Sequence, residues 1–390
     1  MYNLFFSFLT STFSSCLLLF LVPLMVEGLT HSAFYTALAY AVSMVPYIFI
    51  MPVGGVIGDY YSKKRLLQSI ELLNTLLVIL FAFIPFHQRY VGLVLLLHFL
   101  LSSLHTIHHT LFQAFAPTVI QQHAIRRLTA STNLVSNLSI LFAPIIGTFC
   151  YRVSHHPSIL YWVAGGYGLS FLLITWVTPH TQALQPNDQP IAIAPALREG
   201  WAYVRAHPFF RYTVYIFFFV NFGETCINAN LFYYLKTHAI TSHTQIGYYY
   251  IPMGVGVLLG AIVAPYIIGK LRSGKIVVIG TFLTALCPLA MLLSDDPWLV
   301  TILWGINKMG ATIINITFES LRQMLVPRKL LTRVIAITRM IAYLSIPIAS
   351  LVSGWLFEQT GSFTDLLIIS FLSITLGIAG WGKRLYFGHQ

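Results

Sequence analysis

Twelve long apolar runs follow one another along the chain, at 3–26, 34–57, 66–87, 90–113, 129–152, 159–178, 209–235, 245–268, 275–293, 297–321, 331–356 and 362–382. A hydrocarbon core about 30 Å thick needs about 20 residues of apolar helix to cross it. The runs meet that length, and none shows the alternation over about ten residues that marks a membrane β-strand. The expected fold class is therefore all-α and integral to the membrane, with twelve transmembrane helices. Composition agrees, since 57% of the 390 residues are hydrophobic and only 8% are charged, proportions foreign to a soluble chain. The first run has no basic region before it and no small-residue cleavage site after it, so it is expected to stay as a helix.

Charge orients the helices. With twelve spans, Lys63, Lys64, Arg65, Arg126, Arg127, Arg198, Arg205, Arg211, Lys270, Arg272, Lys275, Arg322, Arg328, Lys329, Arg333, Lys383 and Arg384 fall on one side, and only Arg89, Arg152 and Lys236 on the other. The positive-inside rule then puts both termini in the cytoplasm of a bacterial inner membrane. The formal net charge of +11 becomes a topology signal, the bilayer is the implied partner, and no nucleic acid is. Cys16, Cys150, Cys226 and Cys287 lie in separate spans without CxxC spacing, which favours buried apolar thiols over disulfides or zinc.

The longest break, residues 180–208, starts polar and Pro-rich and becomes amphipathic and basic. It separates six helices from six, giving an N-terminal bundle at 1–179, a cytoplasmic linker with an amphipathic helix at 180–208, and a C-terminal bundle at 209–390. Arg127-Leu128-Thr129-Ala130 overlays Arg333-Val334-Ile335-Ala336, and the same offset sets the fourth span over the tenth. Two such pseudo-repeats are a common transporter design.

Gly55-Val56-Ile57-Gly58-Asp59-Tyr60-Tyr61-Ser62-Lys63-Lys64-Arg65, between the second and third spans, resembles the signature loop of the major facilitator superfamily, with Tyr60 where a basic residue is usual and Ser62 where glycine is usual. A worn copy, Gly269 to Lys275, stands in the second half, and Ala143-Pro144-Ile145-Ile146-Gly147 resembles a Gly-Pro motif of exporters. The turn Val26-Glu27-Gly28-Leu29-Thr30-His31-Ser32-Ala33, with His31 in place of glycine, and the segment Leu197 to Pro208 are similar to the branch of enterobactin exporters and macrolide-efflux permeases. The resemblance implies a secondary transporter with a small-molecule substrate, no cofactor, and a central cavity lined by the first, fourth, seventh and tenth helices. A monomer is expected.

The sequence singles out those same helices by polar stripes. At about 100° per residue, His98, Ser102, His105, His109 and Gln113 fall on one narrow face of the fourth span, with His108 at its edge. Lys308, Thr312, Asn315 and Glu319 do so on the tenth, Asn221, Glu224 and Asn228 on the seventh, and Ser7, Ser11 and Ser14 on the first. Ionisable groups in a span are costly and usually face water and a partner. Glu224 and Lys308 lie mid-span and suit either a structural salt bridge or proton coupling by Glu224, with Glu319 a second coupling candidate nearer the cytoplasm. Gly55, Asp59, Lys63, Lys64 and Arg65 are expected to stabilise one conformation.

The histidines admit three readings: satisfied packing, a metal grip by His105 and His109, or an anion site. Two imidazoles without an acid in their helix make a poor metal site, so no metal is expected. Joined to Lys308 and Arg339, His98, His105 and His109 suit a carboxylate, and a polycarboxylate siderophore or another organic anion is the leading substrate class. A macrolide or other drug exported, or an iron chelate taken up, are the alternatives. Enzyme motifs and a P-loop are missing, which points to a non-enzyme driven by an ion gradient, with protons as the coupling ion and export as the direction.

Overall fold

The computed structural model describes residues 2–51, 62–85, 87–119, 122–153, 158–178, 193–238, 246–268 and 270–387. Of the signature loop, Gly55 and Asp59 lie outside the described residues. The long helices are α1 (Tyr2–Thr30), α2 (Ala33–Phe49), α3 (Lys63–Ala82), α4 (Val91–Val119), α5 (Gln122–Val153), α6 (Ser158–Thr175), α7 (Pro208–His238), α8 (Ile251–Ile268), α9 (Ser273–Met291), α10 (Pro297–Leu325), α11 (Arg328–Thr360) and α12 (Phe363–Phe387), with a linker helix at Ile193–Ala206. Among the described residues nine helices are long and apolar enough to cross a membrane, and shorter apolar helices occupy Ala33–Phe49 and Leu134–Phe149. The remaining helix, α7, is 31 residues long but carries Arg211, Asn221, Glu224, Asn228, Asn230 and Lys236, which dilute its hydropathy. The twelve helices correspond to the twelve apolar runs.

Contacts divide the chain into two compact units, Met1–His31 with Val45–Ile193, and Ser32–Met44 with Ala194–Gln390. The packing pattern repeats. In the first unit α1 lies against α5 and α6, and α3 against α4 and α6. In the second, α7 lies against α11 and α12, and α9 against α10 and α12. This is the pseudo-repeat expected from the sequence offset.

The linker helix and the first half of α2 both group with the second unit, for local reasons. On the linker helix, Glu199 pairs with Arg333, Tyr203 Oη donates to the Leu325 carbonyl at 3.0 Å, and Gly200 lets the helix meet the Arg333 backbone. His207 stacks on Tyr203 and lies 4.8 Å from the Phe210 ring, and burial holds its imidazole below the usual histidine range. On α2, Ser350 of α11 donates to the Ala37 carbonyl at 2.6 Å, while the Glu358 carboxylate accepts from Ser32 Oγ at 2.5 Å and Phe34 N at 2.7 Å. A carboxylate at a helix N-terminus satisfies an orphan donor and meets the positive end of the macrodipole. His31, just before this cap, has φ 51°, a left-handed conformation in which a residue with a Cβ is strained. That accounts for glycine being usual at this position of the turn it resembles.

Helices in lipid gain little from burying leucine, so close approach of backbones carries much of the packing. At the α8–α10 crossing a Cβ on Gly256 would lie 1.9 Å from the Gly305 carbonyl oxygen, and one on Gly260 would lie 2.6 Å from that of Met309. By contrast, Gly165 on α6 has nothing within 4 Å of its would-be Cβ. Gly256→Val is therefore expected to force α8 off α10 and lower stability by about 3 kcal/mol or more. Gly165→Val should change it little, and the comparison is read from thermal unfolding of the two purified variants.

Candidate functional site

Two groups of ionisable side chains lie within the spans of the second unit. In the first, Lys308 on α10 places Nζ 2.6 Å from Glu224 Oε2 on α7, with the side chains only 15% and 12% exposed. The ammonium also lies 4.7 Å from the Trp304 ring centroid, and Trp304 Nε1 donates to Asn228 Oδ1 at 3.0 Å. Lys308 is thus held by a carboxylate and an aromatic face, both of which stabilise its charge. The second carboxylate oxygen, Glu224 Oε1, is buried without a hydrogen-bond partner. Asn221 donates through Nδ2 to the Ala342 carbonyl at 3.0 Å, tying α7 to α11.

The second group sits nearer the C-terminal end of α10. Glu319 on α10 lies 3.3 Å from Arg339 on α11 and 3.8 Å from Arg322, whose Nη1 donates to Thr338 Oγ1 at 2.9 Å. Two guanidinium groups share one carboxylate, leaving a surplus positive charge. Arg322, only 3% exposed, is a member the sequence stripe did not single out, because as a basic residue close to a span end it serves equally well as a topology signal. Asn315, on the same stripe, is exposed.

The first unit carries the histidines. His98 is buried and neither ring nitrogen has a hydrogen-bond partner. His105 and His109 are half-buried, with ring centroids 6.5 Å apart, and no cluster of metal-binding side chains occurs among the described residues. His108, which the sequence puts at the edge of the stripe, lies with Nε2 2.9 Å from Glu71 Oε1 of α3. Glu71 was legible as the one acid in the third apolar run; attention to the four striped helices passes over it. The serine stripe of α1 needs correction as a cavity feature. Ser7 hydrogen-bonds Ser170 of α6 at 2.9 Å, Ser15 bonds Tyr167 at 2.9 Å, and Gly166 accommodates Ser14, so small hydroxyl residues here serve helix packing. Of the basic end of the signature loop, Lys64 Nζ donates to the Thr175 carbonyl at 2.8 Å, joining α3 to α6, while Lys63 is half-buried and Arg65 exposed.

The sequence pattern of the Major Facilitator Superfamily matches residues 4–350. The chain belongs to that superfamily. Membership of that superfamily agrees with the many apolar helices long enough to cross a membrane. It is similar to the uncharacterized MFS-type transporter YkuC of Bacillus subtilis (strain 168), at 21% identity over 263 residues, which span 65% of this chain and 60% of that one. The chain thus matches about three-fifths of that relative's length. The crystal structure of the nucleoside transporter NupG superposes with a TM-score of 0.77 at 12% identity, covering 99% of each chain, a likeness of fold.

Removing one partner of a largely buried ion pair leaves the other charge uncompensated. Lys308→Ala and Glu224→Ala are each expected to cost about 3 kcal/mol, and the double variant less than the sum of the two. Thermal unfolding of the three purified variants gives the coupling directly.

Proposed function

We propose that this transporter moves a small organic anion, of the polycarboxylate siderophore class, coupled to protons, with Glu224 and Lys308 at the centre of the coupling. The observation that carries the reading is the 2.6 Å Glu224–Lys308 contact between two helices deep in the second unit. An incoming carboxylate can take Glu224's place on Lys308. The released Glu224 carboxylate then has no cation and binds a proton, which keeps the buried site near neutral charge. On return, the substrate leaves, Glu224 gives up its proton, and the ion pair forms again. The anion and the proton are thus bound together and released together, coupled through a single ammonium group.

The charge surplus around Glu319, Arg322 and Arg339 supports an anion over a cation, and Glu319 is the second proton-coupling candidate. His98, His105 and His109 add neutral or cationic hydrogen-bonding capacity, while Asn221 and Asn228 hold the helices that carry the site. In this reading the six-helix halves at 1–179 and 209–390, joined by the linker, expose the pair alternately to the two sides of the membrane. The basic run Lys63, Lys64 and Arg65, with Gly55 and Asp59 of the same signature loop, biases that alternation. Export from a bacterial cytoplasm, by a monomer with both termini inside, follows from the resemblance to exporters and from the positive-inside bias.

Thermal stabilisation of the full-length protein by a ligand panel tests the substrate class, because a ligand that binds only the folded state raises its stability with occupancy. Polycarboxylate siderophores are expected to stabilise the wild type and to lose that effect on Lys308→Ala. Glu224→Gln should bind them yet abolish transport driven by a pH gradient in proteoliposomes. Stabilisation by macrolides or cationic drugs alone would replace this reading with drug efflux, and pH-driven transport surviving in Glu224→Gln would remove the coupling role.

A further inference from the structure

Among the described residues Glu71 is the most deeply enclosed acid of the first unit, and the reading above gives it no role. On α3, Leu72, Leu73, Leu76 and Leu80 are exposed, whereas Leu67, Ile70, Glu71, Asn74 and Val78 are buried. The carboxylate therefore sits on the inward face of the helix, 0% exposed, against His108 at 2%. Although Nε2 and Oε1 are 2.9 Å apart, the ring N–H is not aligned with the oxygen. Both Glu71 oxygens and His108 Nε2 lack a hydrogen-bond partner. Asn74 lies three residues along α3 from Glu71, and His105 three residues before His108 on α4. Both polar atoms of Asn74 and Nδ1 of His105 are buried and unpartnered as well.

A purely structural ion pair in a low-dielectric interior offsets its desolvation only when fixed donors and acceptors satisfy the remaining lone pairs. Here they do not. What the pair does offer is a site for one proton at zero net charge, held either as carboxylate with imidazolium or as carboxylic acid with neutral imidazole. Losing that proton leaves a buried −1, and gaining a second leaves +1. The groups around it are His98, His105 and His109 on α4, Tyr167 on α6, Cys16 on α1, Tyr47 on α2, and Lys63, Lys64 and Arg65 at the start of α3. Tyr167 lies within electrostatic range of Glu71, Cys16 and Tyr47, and His105 within that of His108 and His109. Helix α5 brings no titratable group among its described side chains. Lys64 is already engaged by the Thr175 carbonyl, so His108 is the partner that matters to Glu71.

We propose that Glu71 and His108 form a proton-binding site inside the first unit, separate from the Glu224–Lys308 pair, with the unpartnered Asn74 and His105 polar groups one turn away as its next hydrogen-bonding station. The site binds and releases one proton; no other bond is made or broken. This inference does not rest on the anion reading, since it needs neither Lys308 nor a substrate.

The test uses the full-length protein in lipid nanodiscs, with the proton itself as probe. Proton release is counted with a pH-sensitive dye between about pH 5 and about pH 9, where imidazole titrates. Infrared difference spectra over the same interval read the carboxyl and imidazole bands. Glu71→Gln/His108→Asn is expected to release about one proton fewer per protein than wild type and to lose the paired bands, while Glu224→Gln keeps both. Should the double variant not fold, Glu71→Asp, which retains the charge, is expected to shift the carboxyl band and the midpoint of the imidazole band. An unchanged proton count in the double variant, or unchanged bands and midpoint in Glu71→Asp, would show a fixed, inert ion pair and overturn the proposal. Loss of the same event in Glu224→Gln would assign the proton to Glu224 and overturn it equally.

Discussion

A charge inside a bilayer has no water to fall back on, and three sets of ionisable side chains among the described residues are arranged around that fact. Glu224 faces Lys308, Glu319 faces Arg339 and Arg322, and Glu71 faces His108. Glu224–Lys308, Glu319–Arg339 and Glu71–His108 each join two different helices, so the polar contacts that make the charges tolerable also fix which helices are neighbours. The same groups are the ones able to exchange a proton or an anion, because a pair held together by charge is the pair a competing ion can open. Stability and transport chemistry thus draw on one set of residues.

Between the charges, the helices meet through small residues and hydroxyls. Gly256, Gly260 and Gly305 let α8 and α10 touch backbone to backbone, Gly354 does the same for α11 against Ala37, and Ser7 meets Ser170 between α1 and α6. Bulky side chains such as Leu72, Leu76 and Leu80 point outward, where lipid provides an equally apolar surface. The repeated pattern, α1 on α5 and α6 as α7 on α11 and α12, shows two halves solving the same packing problem.

The twelve spans, the break between the sixth and seventh, and the superfamily were legible in the sequence, because run length and hydropathy are local properties set by bilayer thickness. Glu224 and Lys308 were legible as partners for the same reason: two unlike charges in apolar helices need each other. The α1 serines were misplaced because a polar stripe on a helix is the same whether it faces water or packs against a small-residue neighbour. Glu71 was overlooked although its presence in a span was a signal, since the stripes of four helices drew attention from a single acid on a fifth.

The sequence by itself determined what crosses the membrane, with which side basic, because those depend on how many apolar residues stand in a row and where the lysines and arginines interrupt them. Only the tertiary structure decided that His108 meets Glu71, that Arg322 joins Arg339 on Glu319, and that residues 32–44 pack with the second unit. Those contacts depend on the rotation and depth of one helix against another, and hydropathy carries no information about either.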